Sequence, residues 1–69
     1  MSKKLKASIG NQIKEHRKLR NMSQVQLSKK TNISQGDISS IESGQANFTL
    51  ATLERIAKAL KCKLTLEIE

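Results

Sequence analysis

Apolar and polar positions alternate along this 69-residue chain with two different periods. From residue 8 to about residue 61, apolar residues recur every three to four positions, which is typical of α-helices with one buried face. Over residues 62–69, apolar and polar residues alternate one by one, which is typical of a β-strand. The pattern therefore predicts a mainly α-helical domain over residues 8–61 and a short C-terminal strand over residues 62–69.

Helix-capping residues divide the helical part into four predicted helices. Their N-caps are expected at Ser8, Ser23, Ser34 and Thr49, each of which stands just before an apolar repeat. The first three helices are expected to end near Asn21, Thr31–Asn32 and Gly44. The predicted core comprises Ile9, Ile13, Leu27, Ile33, Ile38, Ile41, Leu50, Leu53, Ile56, Ala57 and Leu60, with Val25 or Ser28 beside Leu27.

The sequence predicts a different structure for each end of the chain. Residues 1–7 are rich in lysine and lack periodicity, so we expect a basic flexible arm. Leu64, Leu66 and Ile68 would form the apolar face of the C-terminal strand. A lone strand leaves its backbone hydrogen-bonding groups unpaired. We therefore expect it to pair with the same strand of a second copy and to form a homodimer. The alternative is a short strand that folds back on its own domain.

Charge and composition narrow the functional classes. The net charge of +7 is uneven: residues 1–30 carry nine basic residues against one acidic, and residues 31–69 four against five. Such a basic half points to a polyanionic partner. One Cys and one His cannot supply a zinc site, and no cofactor motif is present. No arrangement of nucleophile and base indicates an enzyme. The absence of an apolar span and of a signal pattern favours a cytoplasmic protein without membrane contact.

The middle of the chain predicts a helix-turn-helix. Two short helices between Gln24 and Ser43 would meet at a tight turn at Asn32, where an asparagine tolerates the left-handed conformation. Opposite Ile38 and Ile41, the third helix carries uncharged, small or hydrogen-bonding residues: Gln35, Gly36, Ser39, Ser40 and Ser43. A face of this kind can enter the major groove of DNA, where a glutamine can bind adenine with two hydrogen bonds.

These residues resemble the Xre/Cro-type helix-turn-helix family. The resemblance covers residues 9–61, and its clearest motifs are Met22-Ser-Gln24, Ile41-Glu-Ser-Gly44 and the helix over residues 53–60. Asn32, Ser28 and His16 depart from the family, which commonly has Gly, Ala and an apolar residue there. The resemblance implies a lambda-repressor-like helical domain that binds double-stranded operator DNA as a dimer.

The resemblance also implies roles for single residues. Base-edge contacts are expected from Ser34, Gln35, Gly36, Ser39 and Ser40. Phosphate contacts are expected from Gln24, Ser43, Gln45 and Asn47. Lys30 is also expected to contact a phosphate, because its side chain is positively charged. Arg17 and Glu42 correspond to an ion pair that holds the first and third helices together. We expect His16 to be neutral at the rim of the core and Cys62 to be a small core or interface residue.

The leading hypothesis is a dimeric, sequence-specific transcriptional regulator that acts as a repressor. A C-terminal strand resembles the small antitoxin-like members, which partner a toxin. The alternative is an autonomous phage-type or controller repressor without a toxin. An RNA-binding module is disfavoured because Phe48 is the only aromatic residue available for base stacking. A protein-interaction module would leave the basic half and the Gln/Ser/Gly face without a role.

Overall fold

The structure is a computed structural model that describes residues 1–66. Four α-helices follow one another: α1 (Lys3–Leu19), α2 (Gln24–Thr31), α3 (Gln35–Glu42) and α4 (Leu50–Leu60). α1 packs against α3 and α4, and α2 packs between α3 and α4. No helix of the described residues is both long and apolar enough to cross a bilayer.

α1 begins earlier than the sequence predicts. Its N-cap is Ser2 rather than Ser8, and the Ser2 hydroxyl accepts a hydrogen bond of 3.0 Å from the backbone N–H of Leu5. Leu5 packs against the core one helical turn before Ile9, so burial as well as capping favours the additional turns. Residues 3–7 are therefore helical, and the expectation of an N-terminal flexible arm is not met there.

Local capping explains the other helix boundaries. Ser23 and Gln26 form a capping box. The backbone N–H of Ser23 donates to the Gln26 side chain at 2.7 Å, and the backbone N–H of Gln26 donates to the Ser23 hydroxyl at 3.1 Å. Ser34 and Thr49 cap α3 and α4 as predicted. Asn32 ends α2 in the left-handed conformation, at φ 60°. These residues set the sharp turn that places α3 across α2.

The core is apolar and is shared by all four helices. It consists of Ile9, Ile13, Leu27, Ile33, Ile38, Ile41, Leu53, Ile56 and Leu60. The expectation for Leu50 is wrong, because 70% of this first residue of α4 remains exposed. Val25 is also exposed, and Ser28 takes the inner position, donating a hydrogen bond of 2.5 Å to the carbonyl of Ile33.

The prediction of a C-terminal β-strand is wrong for the described residues, since residues 62–66 are not in a strand. Leu64 packs against the core of its own chain. The Gln12 side chain donates to the carbonyl of Thr65 at 2.8 Å and accepts from its N–H at 2.9 Å. This amide therefore satisfies both backbone groups of Thr65, which a partner strand would otherwise have bound. Leu66 is exposed, and Ile68 lies outside the described residues, so strand pairing between two copies is not supported.

α1 and α3 make their closest approach at Gly10. A Cβ atom on this buried glycine would lie 2.7 Å from the carbonyl oxygen of Glu42 and closer still to that of Ile41. Both obstacles are backbone atoms at the C-terminal end of α3, which a side-chain rotation cannot move. Gly10 therefore fixes the distance between α1 and α3.

We expect Gly10→Ala to lower the free energy of unfolding by about 1–3 kcal/mol, because the added methyl group forces the two helices apart. Gly36→Ala is a matched control, since a Cβ at this helical glycine meets no atom within 4 Å. It should instead stabilise the protein by about 1 kcal/mol through helix propensity. Urea denaturation followed by circular dichroism measures both changes, and a neutral Gly10→Ala would contradict the close packing.

Candidate nucleic-acid interface

α3 presents one uncharged face to solvent. Ile38 and Ile41 are buried on its inner side, whereas Gln35, Gly36 and Ser39 are exposed on the other. Ser40 is half-buried at the edge of this face. We call Gln35, Gly36, Ser39 and Ser40 the α3 face. Its side chains can donate and accept hydrogen bonds, but they carry no charge.

Ser34 and Gln35 stand at the N-terminal end of α3. The Ser34 hydroxyl accepts a hydrogen bond of 3.1 Å from the backbone N–H of Asp37, so it caps the helix, and its own proton stays available to a ligand. Gln35 is the first helical residue, and its exposed side chain can extend beyond the end of α3. The structure therefore brings all five predicted base-reading residues to one exposed region.

Gly36 has no structural role that the free protein reveals. Nothing lies within 4 Å of a Cβ built on it, and its backbone is not in the left-handed region. A glycine inside a helix costs about 1 kcal/mol relative to alanine. Its presence in an eight-residue helix is explained if another molecule approaches the backbone of α3 closely at this point.

A buried ion pair holds α3 against α1. The Arg17 guanidinium donates to both carboxylate oxygens of Glu42, with Nε–Oε2 at 2.7 Å and a second nitrogen–oxygen distance of 3.0 Å. A third guanidinium nitrogen donates to the carbonyl of Met22 at 2.8 Å. The hydrogen bond from Arg17 to Glu42 raises the pKa of the guanidinium above its ordinary value, burial lowers it, and the charge of Glu42 raises it further. Arg17 therefore stays protonated.

Gln24 joins this network from the start of α2. Its side-chain nitrogen donates to Glu42 Oε1 at 3.1 Å, which leaves a second N–H and the amide oxygen for other partners. The sequence does not predict the hydrogen bonds from Gln24 to Glu42 and from Arg17 to Met22. They depend on the position of a backbone carbonyl and on a side-chain orientation, and neither can be read from residue types. The Glu42 carboxylate thus connects α1, the N-terminus of α2 and the C-terminal end of α3, and Arg17 extends the network to the α1–α2 turn.

The segment after α3 is folded by the carbonyl of Ser40. This oxygen accepts from the backbone N–H groups of Gln45 and Ala46, at 3.0 and 3.2 Å, and from the Ser43 hydroxyl at 3.0 Å. Gly44 adopts φ 78°, which favours glycine. The exposed side chains of Ser43, Gln45 and Asn47 therefore follow the C-terminal end of α3 on a defined path.

Lys30 is not part of this region. It lies at the C-terminal end of α2 and borders surface hollows that are lined by α4 residues such as Arg55 and Lys58. No Lys or Arg occurs between residues 31 and 54 of the sequence. The positive charge of the protein therefore lies on α1, α2 and the end of α4 rather than on the α3 face.

His16 and Cys62 both lie at the edge of the core. His16 is half-buried at the rim of the core, and Cys62 packs against the core with its thiol half-buried. Burial raises the pKa of the Cys62 thiol above its ordinary value, and the charge of Arg20 partly offsets this rise. Within residues 1–66, no group of His, Cys, Asp and Glu side chains could hold a metal ion.

Comparisons with known proteins agree with this geometry. A helix-turn-helix family model matches residues 13–66. An immunity repressor protein of Bacillus phage phi105 is 43% identical over 53 residues, which are 77% of this chain and 37% of that protein. An HTH_3 family transcriptional regulator from Vibrio cholerae superposes with a TM-score of 0.84 at 34% identity, covering 90% of this chain and 35% of that one.

A third relative is similar over most of its length. The restriction-modification controller protein C.Esp1396I superposes with a TM-score of 0.81 at 34% identity, covering 86% of this chain and 76% of that one. The chain spans little more than a third of the first two relatives, 37% and 35%. The relatives that it resembles in sequence are an immunity repressor, a transcriptional regulator and a restriction-modification controller.

We expect Arg17→Met to lower the free energy of unfolding by about 3–5 kcal/mol, because it leaves the buried Glu42 carboxylate without its cation. The double variant Arg17→Met/Glu42→Leu should lose much less, since neither charge then remains buried. Urea denaturation of both single variants and the double variant gives the coupling energy. Glu15→Gln, an exposed change on α1, is the control and should be neutral. A coupling energy near zero would contradict the role of the pair.

Proposed function

The chain belongs to the helix-turn-helix family, and from that premise we propose that it is a transcriptional regulator that inserts α3 into the major groove of double-stranded DNA and acts as a repressor. The observation that carries this proposal is the α3 face. It is exposed, uncharged and hydrogen-bonding, and it includes a helical glycine whose absent side chain leaves open space. Gln35 and the serine hydroxyls supply the groups that read base edges.

The fixed orientation of α3 supports the same proposal. Direct readout requires side chains to meet base edges with hydrogen-bond geometry, which a loosely held helix of eight residues cannot provide. The Arg17–Glu42 pair and the contact at Gly10 both act on the C-terminal half of α3. The helix is therefore rigidly mounted on α1 before DNA is bound.

Phosphate contacts are proposed from groups that flank the α3 face. The free N–H of Gln24 lies at the N-terminus of α2, and Ser43, Gln45 and Asn47 follow the other end of α3. Phosphate contacts of this kind set the register of a protein on the duplex, whereas base contacts give it specificity. The lysines of α1 and α2 add a long-range attraction that weakens with salt.

We favour an autonomous repressor over an antitoxin that partners a toxin. The similar proteins include an immunity repressor and a restriction-modification controller. An antitoxin role was inferred from the C-terminal strand, which is not present in residues 62–66. We therefore do not propose a toxin partner.

We propose that the regulator binds as a dimer, although not through a shared strand. One eight-residue helix reads only a half-site, and two-fold related subunits place two such helices one DNA turn apart. Selection of duplexes from a random pool tests this directly. The selected sites should be inverted repeats with centres about 10 bp apart. Recovery of single, unpaired motifs would contradict the dimer, and recovery of no motif would contradict sequence-specific binding.

We expect Gln35→Ala to lower affinity for the selected site by about 5–150-fold, which corresponds to the loss of one bidentate base contact. Affinity for an unrelated duplex should change by less than about twofold, because phosphate contacts dominate non-specific binding. Asn11→Ala, an exposed change on α1, is the control. Fluorescence anisotropy at one fixed salt concentration measures all affinities. An equal loss on both duplexes would contradict base reading by Gln35.

Gly36→Ala should separate stability from binding. The variant should be more stable than the wild type by about 1 kcal/mol. It should nevertheless bind the selected site about tenfold more weakly, because the added methyl group meets the bases, a steric cost of order 1–3 kcal/mol. The two measurements are urea denaturation and anisotropy on the same preparation. Unchanged affinity would show that nothing approaches α3 at Gly36.

A further inference from the structure

A second concave surface lies away from the α3 face, where the C-terminal ends of α1, α2 and α4 meet. It has a volume of about 810 Å³. Arg20, Lys30, Lys61 and Lys63 line it together with the apolar side chains of Leu19 and Met22, and we call the basic residues its rim and the apolar residues its floor. We call this surface the cationic groove. None of the residues that line it belongs to α3 or to the segment between α3 and α4.

The rim of the cationic groove carries positive charges that no carboxylate of the described groove residues neutralises. No carboxylate lines it within the described residues. Adjoining hollows add Lys29 on one side and Arg55 and Lys58 on the other, and Glu54 is the carboxylate that borders them. Clustered like charges around a concave, low-dielectric surface concentrate the electric field and attract anions. Together, the cationic groove and the adjoining hollows hold seven of the thirteen basic residues of the chain.

The floor of the cationic groove is apolar. Leu19 is 79% exposed, although it lies on a helix that buries other apolar residues. Met22 is half-buried against the core, and its flexible thioether suits a surface that must adapt to a partner. The half-buried thiol of Cys62, whose pKa is raised by burial, also lines the floor. The groove thus combines an apolar floor with a cationic rim.

We propose that the cationic groove binds an acidic segment of a partner protein, whose carboxylates contact the rim lysines and whose apolar side chains cover Leu19 and Met22. Charge complementarity selects an acidic partner. The apolar floor selects a peptide over a nucleic acid backbone, because phosphates and sugars offer nothing to bury there. Since the groove and the α3 face share no residues, DNA and the acidic segment can bind at the same time.

A synthetic peptide tests the proposal. A fluorescein-labelled peptide of Glu and Leu is titrated with the full chain by anisotropy, beside a control peptide in which Ser replaces every Leu. We expect saturable binding of the Glu/Leu peptide and at least tenfold weaker binding of the Glu/Ser peptide, about 1.4 kcal/mol. The duplex recovered by selection, or an unrelated duplex if selection recovers none, is then added, and the affinity for the peptide should stay within about twofold.

Variants of exposed residues locate the binding surface. Leu19→Ser and Lys61→Asn/Lys63→Gln should each weaken peptide binding about tenfold, or about 1.4 kcal/mol. Their matched controls are Leu50→Ser, another exposed leucine, and Lys14→Gln/Lys18→Gln, which removes the same charge outside the groove. The controls should bind the peptide as the wild type does. Circular dichroism and urea denaturation establish that each variant is folded.

Four outcomes would overturn the proposal. Equal binding of the two peptides, or an equal effect of groove and control variants, would show a general attraction for polyanions. Loss of affinity for unrelated duplex DNA in the groove variants, without loss for the peptide, would assign the surface to nucleic acid. A changed sedimentation coefficient of the groove variants would assign it to contacts between copies of this chain. None of these outcomes depends on whether α3 reads DNA.

Discussion

The buried ion pair between Arg17 and Glu42 is the interaction on which the arrangement of this domain depends. It joins the two helices that meet at Gly10, and it draws in the Met22 carbonyl and the Gln24 side chain. A buried charge pair adds little net stability, but the loss of one partner is costly. We infer that its effect is to fix the orientation of α3, because Glu42 reaches Arg17 in this position of the helix.

In the function that we propose, sequence recognition and electrostatic attraction lie on different surfaces of the domain. The α3 face is uncharged, and the segment from residue 31 to residue 54 holds no cation, whereas the lysines and arginines lie on α1, α2 and the end of α4. A charged reading helix would bind any duplex strongly, because phosphate attraction is independent of sequence. An uncharged one lets hydrogen-bond geometry decide which site is bound. The basic residues outside α3 are then available to a second partner, and the cationic groove is the site that we propose for it.

The sequence predicts helix caps and turns, which depend on neighbouring residues, but it does not predict contacts between residues that are far apart in the chain. Ser23, Ser34 and Thr49 cap helices as expected, and Asn32 takes the left-handed turn, because each acts within its own few residues. The earlier start of α1 required knowing that Leu5 reaches the core. The alternation of residues 62–66 resembled a strand, but Gln12, more than fifty residues away, binds the backbone of Thr65. The order of the residues carries no sign of that contact.

We propose that α3, oriented by Glu42 and Arg17, is the surface that reads DNA. The most direct measurement is a backbone amide NMR titration of the wild-type chain with a duplex recovered by selection, under conditions of moderate salt. If α3 reads the bases, the largest chemical-shift changes fall on Gln35, Gly36 and Ser39, with smaller ones at Gln24 and Gln45. Changes concentrated at Arg20, Lys61 and Lys63, with the α3 amides unperturbed, would contradict it.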